Sequence, residues 1–193
     1  MNSRPNSTLA AALWPESQGH MLRQGAMVLI GTLLLTASAK VQVPFWPVPM
    51  TMQTFVVLFL GAALGPRLGA LTVLLYLTQG ALGLPVFAGT PEKGLGLAYM
   101  AGPTGGYLIG FVFGAFVVGW LAERGWDRSV PRLFCAMMLG HVVILGLGLA
   151  WLAPLVGMDK AWALGIVPFY AATVFKTALG AFAVPALWRL AQR

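Results

Sequence analysis

The chain has 193 residues, 59% of them apolar and 9% charged, with a mean hydropathy of +0.81. Soluble domains carry about a quarter charged residues, so most of these side chains must face lipid or one another, and an ordinary soluble enzyme is excluded. The 12 Lys+Arg against 5 Asp+Glu give +7, but the basic residues fall singly or in small groups between apolar runs, without the clusters a phosphate backbone requires, so no nucleic-acid partner is expected.

Met1–His20 is polar and contains proline, and the apolar run after it is long enough to span a membrane rather than be cleaved, so it reads as a cytoplasmic N-terminal tail. A hydrocarbon core of about 30 Å takes roughly 20 helical residues. The stretches that qualify run near Leu22–Val43, Met52–Leu64, Leu68–Leu84, Pro103–Ala122, Leu133–Leu155 and Trp162–Leu190. The second is short and admits a tilted, re-entrant or extended geometry. The expected fold is therefore an all-α integral membrane protein of six transmembrane helices, one domain over residues 22–193 behind a tail of 1–21, with both termini cytoplasmic.

Charge placement supports that orientation. With the N-terminus inside, the inner segments carry Arg4, Arg23, Arg67, Arg124, Arg128, Arg132, Arg189 and Arg193, while the outer loops carry Lys40, Lys93 and Lys160; cytoplasmic loops are the ones enriched in basic residues. Gly102, Gly106, Gly110 and Gly114 recur every fourth residue, as do Gly61, Gly65 and Gly69, a spacing that lets helix backbones approach closely. Packing within one bundle is the favoured reading, and a homo-oligomer through these faces is the alternative. Cys135 stands alone, so no intrachain disulfide or thiolate metal site is expected.

Lys176 is the most informative residue, an ammonium in the last apolar run between Phe175 and Leu179. Such a charge costs about 2.5–3.5 kcal/mol at membrane depth and marks a functional site by default. The five acids are Glu16, Glu92, Glu123, Asp127 and Asp159, all in tails or loops, so a ligand anion is the expected partner. Phe45, Trp46, Phe87, Tyr99, Tyr107, Trp162, Phe169 and Tyr170 fall at the outer side, where an aromatic belt also belongs. Gln53, Thr54, Thr104 and Thr173 add the few polar groups of a small-molecule pocket. His20 and His141 are far apart, and His141 reads as a hydrogen-bonded packing residue. No Gly-x-Ser-x-Gly elbow, carboxylate dyad or nucleotide-binding loop occurs, so neither catalysis nor a cofactor is expected, and ATP-powered uptake would need other subunits.

The string Pro47-Val48-Pro49-Met50-Thr51-Met52-Gln53-Thr54 is followed by Gly61-Ala62-Ala63-Leu64-Gly65-Pro66-Arg67-Leu68-Gly69, Gly80-Ala81-Leu82-Gly83-Leu84-Pro85-Val86-Phe87-Ala88-Gly89 and Gly102-Pro103-Thr104-Gly105-Gly106-Tyr107-Leu108-Ile109-Gly110-Phe111. In this order the segments resemble the BioY family, the biotin-binding S components of energy-coupling factor transporters. The resemblance implies a six-helix protein of the bacterial cytoplasmic (inner) membrane, embedded in the lipid bilayer, that captures biotin from outside and works with a transmembrane coupling subunit and cytoplasmic ATPases. A self-sufficient oligomeric biotin transporter, a carrier of another small carboxylate vitamin, and a membrane enzyme with His141 as base are the competing readings.

The family pattern Pro-Phe…Asp-x-x-Lys falls on Pro168, Phe169, Thr173 and Lys176, with Thr173 where the family commonly has aspartate. The resemblance makes Lys93 the loop cation for the biotin carboxylate, Gln53 and Thr54 the polar start of a helix, and Phe87 and Tyr107 an apolar wall. The candidate ligand contacts are thus Lys176, Thr173, Phe169, Tyr170, Gln53, Thr54, Trp46, Phe87, Gly89, Lys93 and Tyr107.

Overall fold

The computed structural model describes residues 8–14, 21–43 and 47–191. Helix α1 (Leu9–Leu13) lies inside the stretch whose composition reads as a polar tail. Its Leu-Ala-Ala-Ala-Leu run consists of strong helix formers, too few to register as apolar in a longer window. Thr8 caps it by accepting from Ala11 N at 3.3 Å, and Leu9 is buried against the bundle.

Helix α2 (Met21–Lys40) buries Val28, Gly31, Thr32, Leu35, Ser38 and Ala39, and it packs chiefly on α3. Leu22, Leu29, Ile30, Leu33 and Leu34 point outward. The helix stops short of the predicted Val43. Strand β1 (Gln42–Val43) instead pairs antiparallel with β2 (Met50–Thr51), a small departure from an all-helical chain. Pro44, Pro47 and Pro49 in the intervening stretch lack the N–H a helix needs.

Helix α3 (Gln53–Ala81) is folded back on itself at Gly65, where φ is 82° and ψ 176°, and Pro66 follows. Glycine tolerates this left-handed backbone without the clash a Cβ would bring. Gln53 and Tyr76 are 23 residues apart in sequence yet share a 2.6 Å hydrogen bond; a straight helix at 1.5 Å per residue would hold them about 35 Å apart. A Cβ on Gly69 would lie 2.9 Å from Gly61 Cα, so the arms touch along their glycines. The arms fall on the second and third predicted runs. Among the described residues five helices are long and apolar enough to cross a membrane, α3 being counted once.

After the short α4 (Gly96–Met100) come α5 (Gly105–Ala122) and α6 (Val130–Val156). The glycine stripe of α5 faces α6: a Cβ on Gly110 would stand 2.8 Å from Ile144 Cα, and one on Gly114 3.2 Å from Gly140 O. The predicted last span begins too early. Trp162 belongs to a separate short helix, α7 (Met158–Gly165), and a 3-10 turn at Val167–Phe169 containing Pro168 interrupts the chain before α8 (Tyr170–Ala191). Proline supplies no N–H to continue the ladder there.

Charge segregates between the two ends of the bundle. Arg23, Arg67, Arg124, Arg128, Arg132 and Arg189 lie at the end formed by the Gly65 turn, the α5–α6 connection and the close of α8, whereas Lys40, Lys93 and Lys160 lie at the other. At the arginine end Asp127 is 1% exposed, and its Oδ2 accepts from Trp188 Nε1 at 2.5 Å. The Arg128 guanidinium sits 4.8 Å from the Trp188 ring centroid. Burial pushes the Asp127 carboxyl up from its ordinary 3.8, against the lowering effects of the Trp188 hydrogen bond and Arg128. A raised carboxyl in the folded state holds its proton to higher pH than in the unfolded chain, so its contribution to stability is full below about pH 3.8 and is lost as pH rises through the folded value. Thermal midpoints of Asp127→Asn and the parent protein, measured from pH 4 to 8, should therefore converge at low pH and separate in favour of the variant at high pH; parallel curves would refute the assignment.

Candidate ligand-binding site

The pocket forms at the lysine end, where the starts of α3, α5 and α8 converge. Lys176, on α8, is 5% exposed. Its Nζ donates to Thr51 O at 2.5 Å and to Thr54 Oγ1 at 3.2 Å. An ammonium carries three N–H donors, and the third has no protein acceptor among the described residues. No carboxylate among them pairs with it.

Around this cation the lining is mostly apolar. Val48 and Pro49 come from the β1–β2 connection, Leu108 and Phe111 from α5, Leu145 from α6 and Phe169 from the 3-10 turn. Thr51, Gln53, Thr54, Tyr99, Thr104 and Tyr107 supply the polar atoms. Several of these are already oriented by backbone: Tyr107 OH donates to Gly165 O and Tyr99 OH to Ala88 O, both at 2.8 Å. Gln53 Nε2 donates to Tyr76 OH at 2.6 Å, which in turn donates to Val86 O at 2.9 Å. With its Nε2 facing Tyr76, the Gln53 amide accepts at Oε1 from Thr51 Oγ1 at 3.4 Å and has a second lone pair on that oxygen. Burial raises the Tyr99 phenol above its ordinary value, which keeps it a neutral donor. The cavity volume is about 50 Å³, room for a few water molecules, so a larger ligand enters only as the lining spreads. One cation, fixed amide and hydroxyl groups and aromatic walls suit an anion on a largely apolar molecule.

The model of the BioY family matches residues 7–193. The chain belongs to the BioY family. It is 40% identical over 156 residues to the probable biotin transporter BioY of Pyrococcus horikoshii, covering 81% of this chain and 90% of that protein. It is 41% identical over 149 residues to the biotin transporter BioY of Thermotoga maritima, covering 77% and 85%. A crystal structure described as the S-component for biotin from an ECF-type ABC transporter matches with a TM-score of 0.75 over 87% of this chain and 92% of that one, at 24% identity, which establishes a common fold. The family and the apolar helices make the chain a multi-pass membrane protein.

Within this BioY-family fold the pocket brings together Lys176, Gln53, Thr54, Tyr107 and Phe169 of the predicted contacts. Thr173 is buried one turn before Lys176, off the lining. Phe87, 1% exposed, stands behind the wall, stacked on Tyr99 at 4.9 Å and edge-on to Tyr76 at 5.5 Å. Gly89, at φ +71°, is a turn on which the Lys93 stem rests. Lys93 itself is exposed, Tyr170 is half exposed, and neither lines the cavity. Trp46, with Phe45, lies outside the described residues.

The lining adds Val48, Pro49, Thr51, Ala88, Leu108, Phe111 and Leu145. Thr104, Tyr107, Leu108 and Phe111 follow the i, i+3, i+4, i+7 spacing of one helix face, a signal available in the sequence. Thr51 acts through its carbonyl and leaves no such mark. His141 packs as expected, with Nδ1 3.0 Å from Met137 O and 3.1 Å from Thr177 Oγ1.

Proposed function

We propose that this chain is the substrate-capture subunit of a biotin uptake system. The observation that carries the reading is the buried Lys176 ammonium, with one N–H unengaged, at the wall of an otherwise apolar pocket. Biotin has an apolar bicycle for the Phe111, Leu145 and Phe169 walls, a neutral ureido group for hydroxyls and amides, and a valerate anion for the one lining cation. The names of the relatives from Pyrococcus horikoshii and Thermotoga maritima support the same ligand. The segregation of arginines to one end supports a cytoplasmic arginine face and a pocket that opens outward. Because the sequence holds no nucleotide-binding loop, energy for uptake comes from a transmembrane coupling subunit and cytoplasmic ATPases. The glycine stripe is engaged inside the bundle, so a self-sufficient oligomer would need another face.

Equilibrium titration of the purified protein with biotin, desthiobiotin and thiamine tests the ligand. Biotin should bind with a nanomolar dissociation constant, about −12 kcal/mol, and cationic thiamine should not compete beside Lys176. Thiamine binding as tight as biotin, or no saturable biotin binding, would overturn the reading.

A further inference from the structure

The segment 83–95 between α3 and α4 contributes Ala88 to the pocket wall, and its backbone oxygens are held by side chains from elsewhere. Tyr76 reaches Val86 O and Tyr99 reaches Ala88 O, both from helices that flank the segment in sequence. The third holder is remote. Lys40, the last residue of α2, donates to Phe87 O at 3.2 Å, Thr90 O at 3.1 Å and Thr90 Oγ1 at 3.3 Å, across 47 and 50 residues. All three ammonium protons are engaged on one turn, and no acid among the described residues takes part.

An exposed lysine at a helix end is ordinarily worth little. Here, three acceptors converge on it, and hydrogen bonds from a charged donor are stronger than neutral ones. The cavity holds only about 50 Å³, so a ligand of biotin's size is accommodated only if some part of the lining gives way. Segment 83–95 has no regular secondary structure before Gly96, whereas the helices around it are interlocked through glycine contacts. Lifting this segment takes the Phe87 and Thr90 oxygens away from Lys40. Because α2 otherwise packs chiefly on α3, the ammonium also links the roof of the pocket to the helix at the margin of the bundle.

We propose that Lys40 is a positioning residue that clamps segment 83–95 to the end of α2 and sets how long a captured ligand stays, an inference that rests on the biotin-capture reading. It touches no ligand and acts only through the roof.

Two measurements on the full-length protein in lipid nanodiscs, with Lys40→Met and Lys40→Arg, test it. In Lys40→Met, biotin should dissociate about tenfold faster with its association rate changed by no more than about twofold, which is the loss of roughly one charged hydrogen-bonded contact. Lys40→Arg, which keeps the charge and its donors, should stay close to the parent rate. Amide hydrogen exchange in the ligand-free protein should quicken at residues 84–94 in Lys40→Met while α5 and α6 keep their protection. Unchanged dissociation together with unchanged exchange would overturn the clamp, as would a loss confined to association. If the parent protein binds no biotin, the capture reading fails on that result alone, and the exchange comparison still decides whether Lys40 holds the segment.

Discussion

Replacing Lys176 by methionine should weaken biotin binding by about a hundredfold or more. Esterifying the biotin carboxylate should cost the unmodified protein a similar factor and the variant almost nothing. Removing one member of a buried charge pair typically costs 2–5 kcal/mol, and each 1.4 kcal/mol is tenfold. The side chain is buried with only Thr51 O and Thr54 Oγ1 as partners among the described residues, neither of them an anion, so its positive charge is available to a ligand anion. Methionine has nearly the same length and no charge to desolvate, and exchanging a buried ion for an apolar group of similar volume is commonly neutral or stabilising for folding. The variant is therefore expected to fold, which the thermal midpoint without ligand checks. The pair of measurements separates two roles for the lysine. If the ester penalty persists at full size in Lys176→Met, the carboxylate sits elsewhere and the ammonium serves another part of the ligand.

The second large effect concerns the architecture. Gly119 of α5 faces the turn of α3, where an added Cβ would run into Pro66 N, the Gly65 carbonyl carbon and Gly61 O. These are backbone atoms, which cannot swing aside as a side-chain terminus can. Gly119→Val should destabilise the protein by about 3 kcal/mol, the upper part of the usual range for overpacking, and lower the thermal midpoint by roughly 6–12 °C. Gly146 is the control: a Cβ there meets nothing within 4 Å, and Gly146→Ala should leave the midpoint unchanged or slightly raised. Equal midpoints for Gly119→Val and the parent would mean that α5 does not seat against the hairpin at this point.

The extent to which the fold could be read in advance follows from what leaves a mark in composition. Long apolar runs locate the rods because lipid demands them, and Lys176 stands out because an ammonium in such a run is rare. Local interruptions are harder. Trp162 looks continuous with the last span by hydropathy alone, yet Pro168 divides the stretch into a short helix and a long one. The lysines make the same point for the site. Lys40 and Lys93 are both outer-loop lysines in the sequence, and only the folded chain shows that one grips three oxygens of the roof while the other lies exposed beside Gly89. Thr51 is the limiting case: it holds Lys176 through a carbonyl that every residue possesses, so nothing about its identity announces the contact.

The reversal at Gly65 also bears on how the protein sits in the membrane. Its arms, residues 53–64 and 66–81, would be about 18 and 24 Å long, and neither spans a 30 Å core comfortably by itself. The first also begins with a glutamine whose amide is satisfied by Tyr76 on the second arm. Each arm is thus held in the bilayer chiefly by the other, through their glycine contacts and the Gln53–Tyr76 hydrogen bond. Exposed Arg67 marks the tip at the arginine end, and both open ends of the pair lie with the pocket at the lysine end.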